Sequence, residues 1–274
     1  MPSDYRYVVG QKNYAAAGFT TPAGPPSNGT NSDTMTFDDG VGTVATNPST
    51  WVAVNFATFT VTPGCGIDAG AASDPVRFDV AGLFSFSGKG RIWYIGGGTT
   101  TGVWANFLWQ PTNGASGYIS NVSITGTAYI YAGYCEFAST AALADVEVAN
   151  ASCLVKEHAS DVLANVVVRA DGVLEVRRRI NGTTLIEDGG ELIVDVDDNT
   201  TISGVITLGG PRAVLTHKKG KISVKGSGTY DYSRLEKNFA VTITDTEQLT
   251  EKVGKVAPTF TRTTVGRGST KSTA

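Results

Sequence analysis

The stretch Gly182–Val196, GTTLIEDGGELIVDV, sets two short apolar runs on either side of Asp188-Gly189-Gly190. Neither run is long enough for a helix, and a lone hairpin of this size is marginal in water. The phrase recurs. Ala164–Arg179 (ANVVVRADGVLEVRRR) overlays it with Gly172 under Gly190, Val168 under Ile186, Leu174 under Leu192 and Val176 under Val194. Gly204–His217 (GVITLGGPRAVLTH) sets Gly209-Gly210 under Gly189-Gly190, Ile206 under Ile186 and Val214 under Val194. Asp145–His158 (DVEVANASCLVKEH) fits more loosely, with Asn150-Ala151-Ser152 at the turn. A repeat of roughly 18–20 residues is the mark of a solenoid.

Each such unit is a strand, a tight turn and a strand, and cannot bury its apolar side alone. Stacking coils at about 4.8 Å makes parallel ladders and merges the small apolar sides into one core. The recurrent glycines, Gly172, Gly189, Gly190, Gly209 and Gly210, are read as turn residues at positive φ. The charges test the register. Arg177-Arg178-Arg179 is followed one coil later by Asp195, Asp197 and Asp198, and then by His217, Lys218, Lys219 and Lys221. An acidic corner between two basic ones favours this stacking by about 0.2–1 kcal/mol per pair.

Composition agrees with strands. Charged residues make up only 17% of the chain while glycine reaches 33 residues, and no stretch of a dozen residues has helical apolar spacing. The predicted fold is all-β, a right-handed parallel β-solenoid with rungs of roughly 18–24 residues. The expected organisation is a flexible N-terminal arm (1–34), a β-rich region or first coils (35–118), the solenoid (119–244), and a C-terminal cap and tail (245–274). A net charge of −3 gives no electrostatic case for nucleic acid. No apolar run reaches membrane-spanning length, and MPSDYRYVVG lacks a basic segment followed by an apolar one, so neither a membrane partner nor a secretion signal is expected. Three scattered cysteines, Cys65, Cys135 and Cys153, read as reduced, buried thiols.

A resemblance rests on four phrases: Asn31–Asp38 (NSDTMTFD), Phe56–Asp68 (FATFTVTPGCGID), Asp74–Gly88 (DPVRFDVAGLFSFSG) and GGELIVDV. An Asp-Thr-x-x-Phe strand, a Thr-Pro-Gly turn and stacked coils with Gly-Gly-x-Leu phrases resemble the β-helical structural proteins of tailed-phage virions. The resemblance covers about Asp33 to Thr244 and carries no catalytic residues. It implies a capsid decoration, spike or tail-fibre protein that is made in the host cytoplasm and located in the virion. Its partners would be itself, as a homotrimer or other homo-oligomer, and virion proteins such as the major capsid protein. No enzyme activity and no cofactor are implied. The rivals are a receptor- or glycan-binding tail fibre and a polysaccharide lyase or hydrolase on the same fold.

Candidate sites each have a plain alternative. Asp195, Asp197 and Asp198 are weak metal or acid-pair candidates, set against membership of the charge ladder. Trp93, Trp104, Trp109, Tyr129 and Tyr131 are interface candidates, set against core packing and glycan stacking. His158 and His217 have no ligand neighbours at metal spacing and read as turn histidines.

Overall fold

The computed structural model describes residues 4–7, 19–21, 34–37, 42–46, 54–62, 65–69, 78–88, 92–93, 102–112, 116–158, 162–196, 201–219, 221–231, 240–244, 248–252 and 259–263. Every regular element among them is a strand, and apart from the antiparallel pair Asp4–Tyr7 with Phe19–Thr21 the strands stack in parallel as a β-solenoid. The chain divides into two compact units, residues 1–143 and 144–274.

The first unit holds β1 (Asp4–Tyr7), β2 (Phe19–Thr21), β3 (Thr34–Phe37), β4 (Gly42–Thr46), β5 (Val54–Phe56), β6 (Thr58–Val61) and β7 (Cys65–Ala69). It continues with β8 (Phe78–Phe86), β9 (Ile92–Trp93), β10 (Gly102–Trp109), β11 (Ser116–Ile119), β12 (Val122–Ile130) and β13 (Tyr134–Phe137). One parallel ladder runs β3–β6–β8–β10–β12 and a second runs β9–β11–β13. Register partners Phe59, Phe84 and Phe107 stack inward, as do Val61, Phe86 and Trp109. The rings interlock: Phe84 meets Trp104 edge-on at 4.7 Å, and Phe86 lies flat on Trp109 at 4.7 Å and 10°. The coils here run 24 residues from Met35 to Phe59 and 25 from Phe59 to Phe84. Trp104 and Trp109 are core residues, not the surface residues an interface would need.

The second unit opens on β14 (Ala142–Val148), β15 (Ser152–Val155), β16 (Val162–Leu163), β17 (Asn165–Val168), β18 (Val173–Val176), β19 (Arg179–Ile180), β20 (Thr184–Ile186) and β21 (Glu191–Asp195). It closes on β22 (Thr201–Lys219), β23 (Lys221–Asp231), β24 (Ala240–Thr244), β25 (Gln248–Lys252) and β26 (Thr259–Thr263). The two main ladders are β14–β17–β20–β22–β23–β24–β26 and β15–β18–β21–β22–β23–β25. Strict alternation turns Val146, Val148, Val166, Val168, Leu174, Val176, Ile186, Leu192 and Val194 inward. Aliphatic side chains fill less space than rings, and the coils shorten to 20 residues from Val148 to Val168 and 18 from Val168 to Ile186.

The register read from the sequence holds for Val168 under Ile186, Leu174 under Leu192 and Val176 under Val194. It slips in the next coil. Ile186 pairs with Leu208 rather than Ile206, and Val194 pairs with His217 rather than Val214. Gly209-Gly210 thus sits over Glu187-Asp188. Matching glycine to glycine misled by two residues before the turn, and the turn in β22 adds a third: Leu208 to Val214 spans six steps where Ile186 to Glu191 spans five. His217 is consequently a core residue, fully buried with Nδ1 2.8 Å from the Tyr230 hydroxyl, and not a turn histidine.

The glycines also divide. Among the five, only Gly189 has positive φ, +86°, and its equivalent in the coil before is Asp171 at 56°. Gly172 and Gly190 serve close approach instead. A Cβ on Gly190 would stand 2.7 Å from the Val168 carbonyl oxygen, and one on Gly172 would stand 2.6 Å from that of Val148. A Cβ on Gly210 would strike the Asp188 side chain at 2.5 Å, while Gly209 has more room, 3.1 Å from the Ile186 carbonyl.

Two substitutions separate these roles. Gly190→Ala is expected to lower stability by about 1–3 kcal/mol through overpacking, whereas Gly189→Asn should change it by under about 1 kcal/mol, since Asn tolerates the left-handed region. Urea unfolding of both variants checks this. A neutral Gly190→Ala contradicts the close inter-coil approach.

Candidate functional site

The outward charges of the second unit pair between coils. Arg169, one residue past the end of β17, reaches Glu147 on the coil before at 2.6 Å and Glu187 on the coil after at 2.7 Å. One guanidinium thus ties three successive coils. Its fork geometry lets it serve two carboxylates at once, which a lysine ammonium does less well. Asp188 and Arg212 make a second tie, with Arg212 Nη2 2.7 Å from Asp188 Oδ2. That contact holds the Asp188 carboxyl below the usual carboxylate range, the side-chain hydrogen bond from Arg212 being the largest cause.

A third cluster lies at the end of β18 and β21. Arg177 Nη2 stands 2.7 Å from Glu175 Oε1 and its Nε 3.7 Å from Asp195 Oδ2. Lys218 reaches Glu175 at 3.6 Å and Asp195 at 3.9 Å, and Lys219 reaches Asp195 at 3.8 Å. The alternating-sign corner read from the sequence is present at Arg177, Asp195, Lys218 and Lys219. Arg178 departs from it: the side chain is buried and Nε donates to the Lys156 carbonyl. Arg177 is held more firmly in its charged form, first through the Glu175 hydrogen bond. Asp195 faces three cationic groups, which is the wrong surrounding for a metal ligand and corrects that candidate. Asp197 and Asp198 lie outside the described residues. Among the described residues no group of three or more His, Cys, Asp or Glu is gathered as a metal ion would need.

Side-chain oxygens also accept main-chain N–H groups of the following coil. Asp79 Oδ1 accepts the Val103 N–H at 2.7 Å, Asn106 Oδ1 accepts that of Thr127 at 3.0 Å, and Asp145 Oδ1 accepts that of Asn165 at 3.0 Å. Asp188 Oδ1 accepts the Arg212 N–H at 2.8 Å, inside the longer β22 turn. Asn106 does so at a register shift of β10 against β12, and Asp188 at the longer turn of β22, whereas Asp145 and Asn165 are regular register partners. Sequence reading missed both this device and Arg169. The available signal was a sign change at one register position, Arg169 then Glu187, directly after the aligned Val168 and Ile186.

The remaining candidates disperse. Tyr129 and Tyr131 are half-exposed, with ring centroids 5.8 Å apart, and Tyr134 is exposed. The side chain of Trp93 lies outside those described. Cys135 and Cys153 are buried thiols, and burial pushes the Cys153 thiol far up against a smaller opposing effect of Arg178. The arrangement as a whole neutralises charge between coils and fixes their register. It defines a class, the parallel β-solenoid with charge-laced outer faces. Comparisons with protein-family models, curated proteins and solved structures return no match.

Arg169→Ala is expected to cost about 0.5–1 kcal/mol at low salt and less at high salt, because the pairs are partly exposed. Denaturant titrations at two ionic strengths measure it, and a salt-independent loss contradicts the electrostatic role. The Asp188 tie has a defined pH window. A carboxylate with a lowered folded-state pKa adds stability that is fully present above its unfolded value, 3.8, and is lost as pH falls through the still lower folded value. The stability gap between the native chain and Asp188→Asn should therefore stay constant from neutral pH down to about 4 and close below it.

Proposed function

We propose that this chain is a structural component of a tailed-phage virion, a homo-oligomeric β-solenoid that decorates the capsid or forms a spike. The observation that carries the reading is the use made of polar chemistry in the second unit. Arg169, Arg177, Arg212, Lys218 and Lys219 all bridge to carboxylates, most of them on neighbouring coils. Such a chain is built to stay rigid and in register, which is what a particle component requires. The virion setting is supported by the likeness of NSDTMTFD, the Thr-Pro-Gly turn and GGELIVDV to β-helical phage structural proteins. Fold by itself does not select a function, so the setting needs its own test.

A second reading is favoured by one feature. Half-exposed Tyr129 and Tyr131 with exposed Tyr134 offer stacking rings of the kind a glycan- or receptor-binding tail fibre presents. Quantitative mass spectrometry of purified particles separates the two. A copy number comparable to the major capsid protein is the expected result for a decoration protein. A few copies per particle support the spike or fibre. Absence from particles overturns both and brings forward a polysaccharide-cleaving role.

A further inference from the structure

The outer face of the first unit is built differently from that of the second. In the second unit the outward positions carry Glu147, Arg169, Glu187 and Asp188, tied in ion pairs. In the first, the register of β3, β6, β8, β10 and β12 sets Thr36, Thr60, Ser85, Leu108 and Tyr129 side by side. Their chain neighbours Met35, Phe59, Phe84, Phe107 and Ala128 are buried, so alternation turns this row outward, where each residue is half-buried. Two residues further on, Ser87, Gln110 and Tyr131 make a second outward row. Each donates its N–H to the coil before, at the Val61, Phe86 and Trp109 carbonyls. A third row, on the other side, begins with the register partners Thr34 and Thr58 and continues through Leu83 and Asn106. No residue named on these rows is Asp, Glu, Lys, Arg or His, in a chain with 22 Lys/Arg and 25 Asp/Glu. Between Ile92 and Ala144 the sequence has one charged residue, Glu136, and its register partner Tyr118 puts it on another ladder.

What such a face receives is neutral. A phosphate or carboxylate would give up its hydration here without meeting a cation. The hydroxyls of Thr36, Thr60, Ser85 and Ser87 and the amide of Gln110 can both donate and accept hydrogen bonds. Leu108, Tyr129 and Tyr131 set apolar surface among them, the two rings with centroids 5.8 Å apart. The negative face of an aromatic ring suits the C–H groups of a sugar ring. Size argues against a protein. Five strands at about 4.8 Å and three rows at two-residue spacing span roughly 19 by 13 Å, about a third of the ~800 Å² that a specific protein interface covers on each partner. A flat strip takes an extended chain, whereas small molecules favour enclosed clefts.

We propose that the outer face of β3, β6, β8, β10 and β12 binds a neutral polysaccharide. The chain lies across the coils, hydrogen-bonded to the threonine and serine rows and to Gln110, with sugar rings stacked at Tyr129 and Tyr131. The inference rests on the glycan-binding reading given above as the second, and supplies it with a face and a ligand class. A flat face grips one side of its ligand, so a single site binds weakly. Without charges in the contact, binding is independent of salt.

Chromatography of the full chain on immobilised dextran, mannan, mixed-linkage β-glucan and alginate tests it. Retardation is expected on at least one of the three neutral polymers, equally at about 50 mM and about 0.5 M salt. Tyr129→Ala and Gln110→Ala should each reduce it several-fold, while Lys225→Gln, an exposed change in the second unit, should leave it unaltered. Gln110 is exposed, so its truncation spares the core, and thermal melts confirm that each variant is folded. Retardation on alginate alone overturns the neutral face but leaves a glycan-binding protein. Retardation on none of the four overturns both. Native-like retardation of Tyr129→Ala and Gln110→Ala overturns the placement on this face. Particle counting tests the virion setting independently of all three results.

Discussion

The structure depends on the main-chain hydrogen bond between one coil and the next. A strand of four residues has no stability by itself, and its N–H and C=O groups must be met on both edges. Parallel coils about 4.8 Å apart meet them, and every other feature of the molecule answers to that spacing. Gly172 and Gly190 stand where a carbonyl of the preceding coil leaves no room for a Cβ. Asp79, Asn106, Asp145 and Asp188 supply acceptor oxygens to main-chain N–H groups of the following coil. The bonds to the Thr127 and Asn165 amides are part-buried, and leaving those amides without a partner would cost more than a surface ion pair returns.

Inside that frame the two units fill their cores differently. The first interlocks Phe59, Phe84, Phe107, Trp104 and Trp109 within coils of 21 to 25 residues. The second stacks Val, Leu and Ile within shorter coils until Tyr230 and His217 enter at its far end. There the hydroxyl and the imidazole satisfy one another, which lets two polar groups occupy an apolar stack. Charge follows the same logic outside. Carboxylates and guanidiniums spaced one coil apart meet across the ladder, and they favour a single register because a slip would set like charges together.

Much of this was legible in the sequence. The period, the all-β class and the register from Val168 to Val194 follow from alternation and the shared glycine turn, since inward and outward residues exchange places on a one-residue slip. The register of β22 did not follow, because two glycines drew the overlay to themselves, two residues off the ladder before the turn and three after it. Glycine occurs for more than one reason, and the sequence does not say which: Gly189 for its φ, Gly190 for want of space. Trp104 and Trp109 fitted core, interface and glycan contact in the sequence, and their burial places them in the core. The Arg169 bridge was visible as a sign change but gained meaning only once three coils were laid together. The virion setting rests on phrases and not on geometry, and belongs to a different kind of evidence.

The most direct test of the account is the register at β20 and β22. Register partners on neighbouring parallel strands lie about 4.8 Å apart, within disulfide reach, whereas a two-residue offset lies about 8 Å away, beyond it. The double variant Leu185→Cys/Thr207→Cys should therefore form an intramolecular disulfide under mild oxidation, found by peptide mapping. Leu185→Cys/Val205→Cys should not. A bridge between 185 and 205 with none between 185 and 207 would contradict the stacking on which the whole description stands.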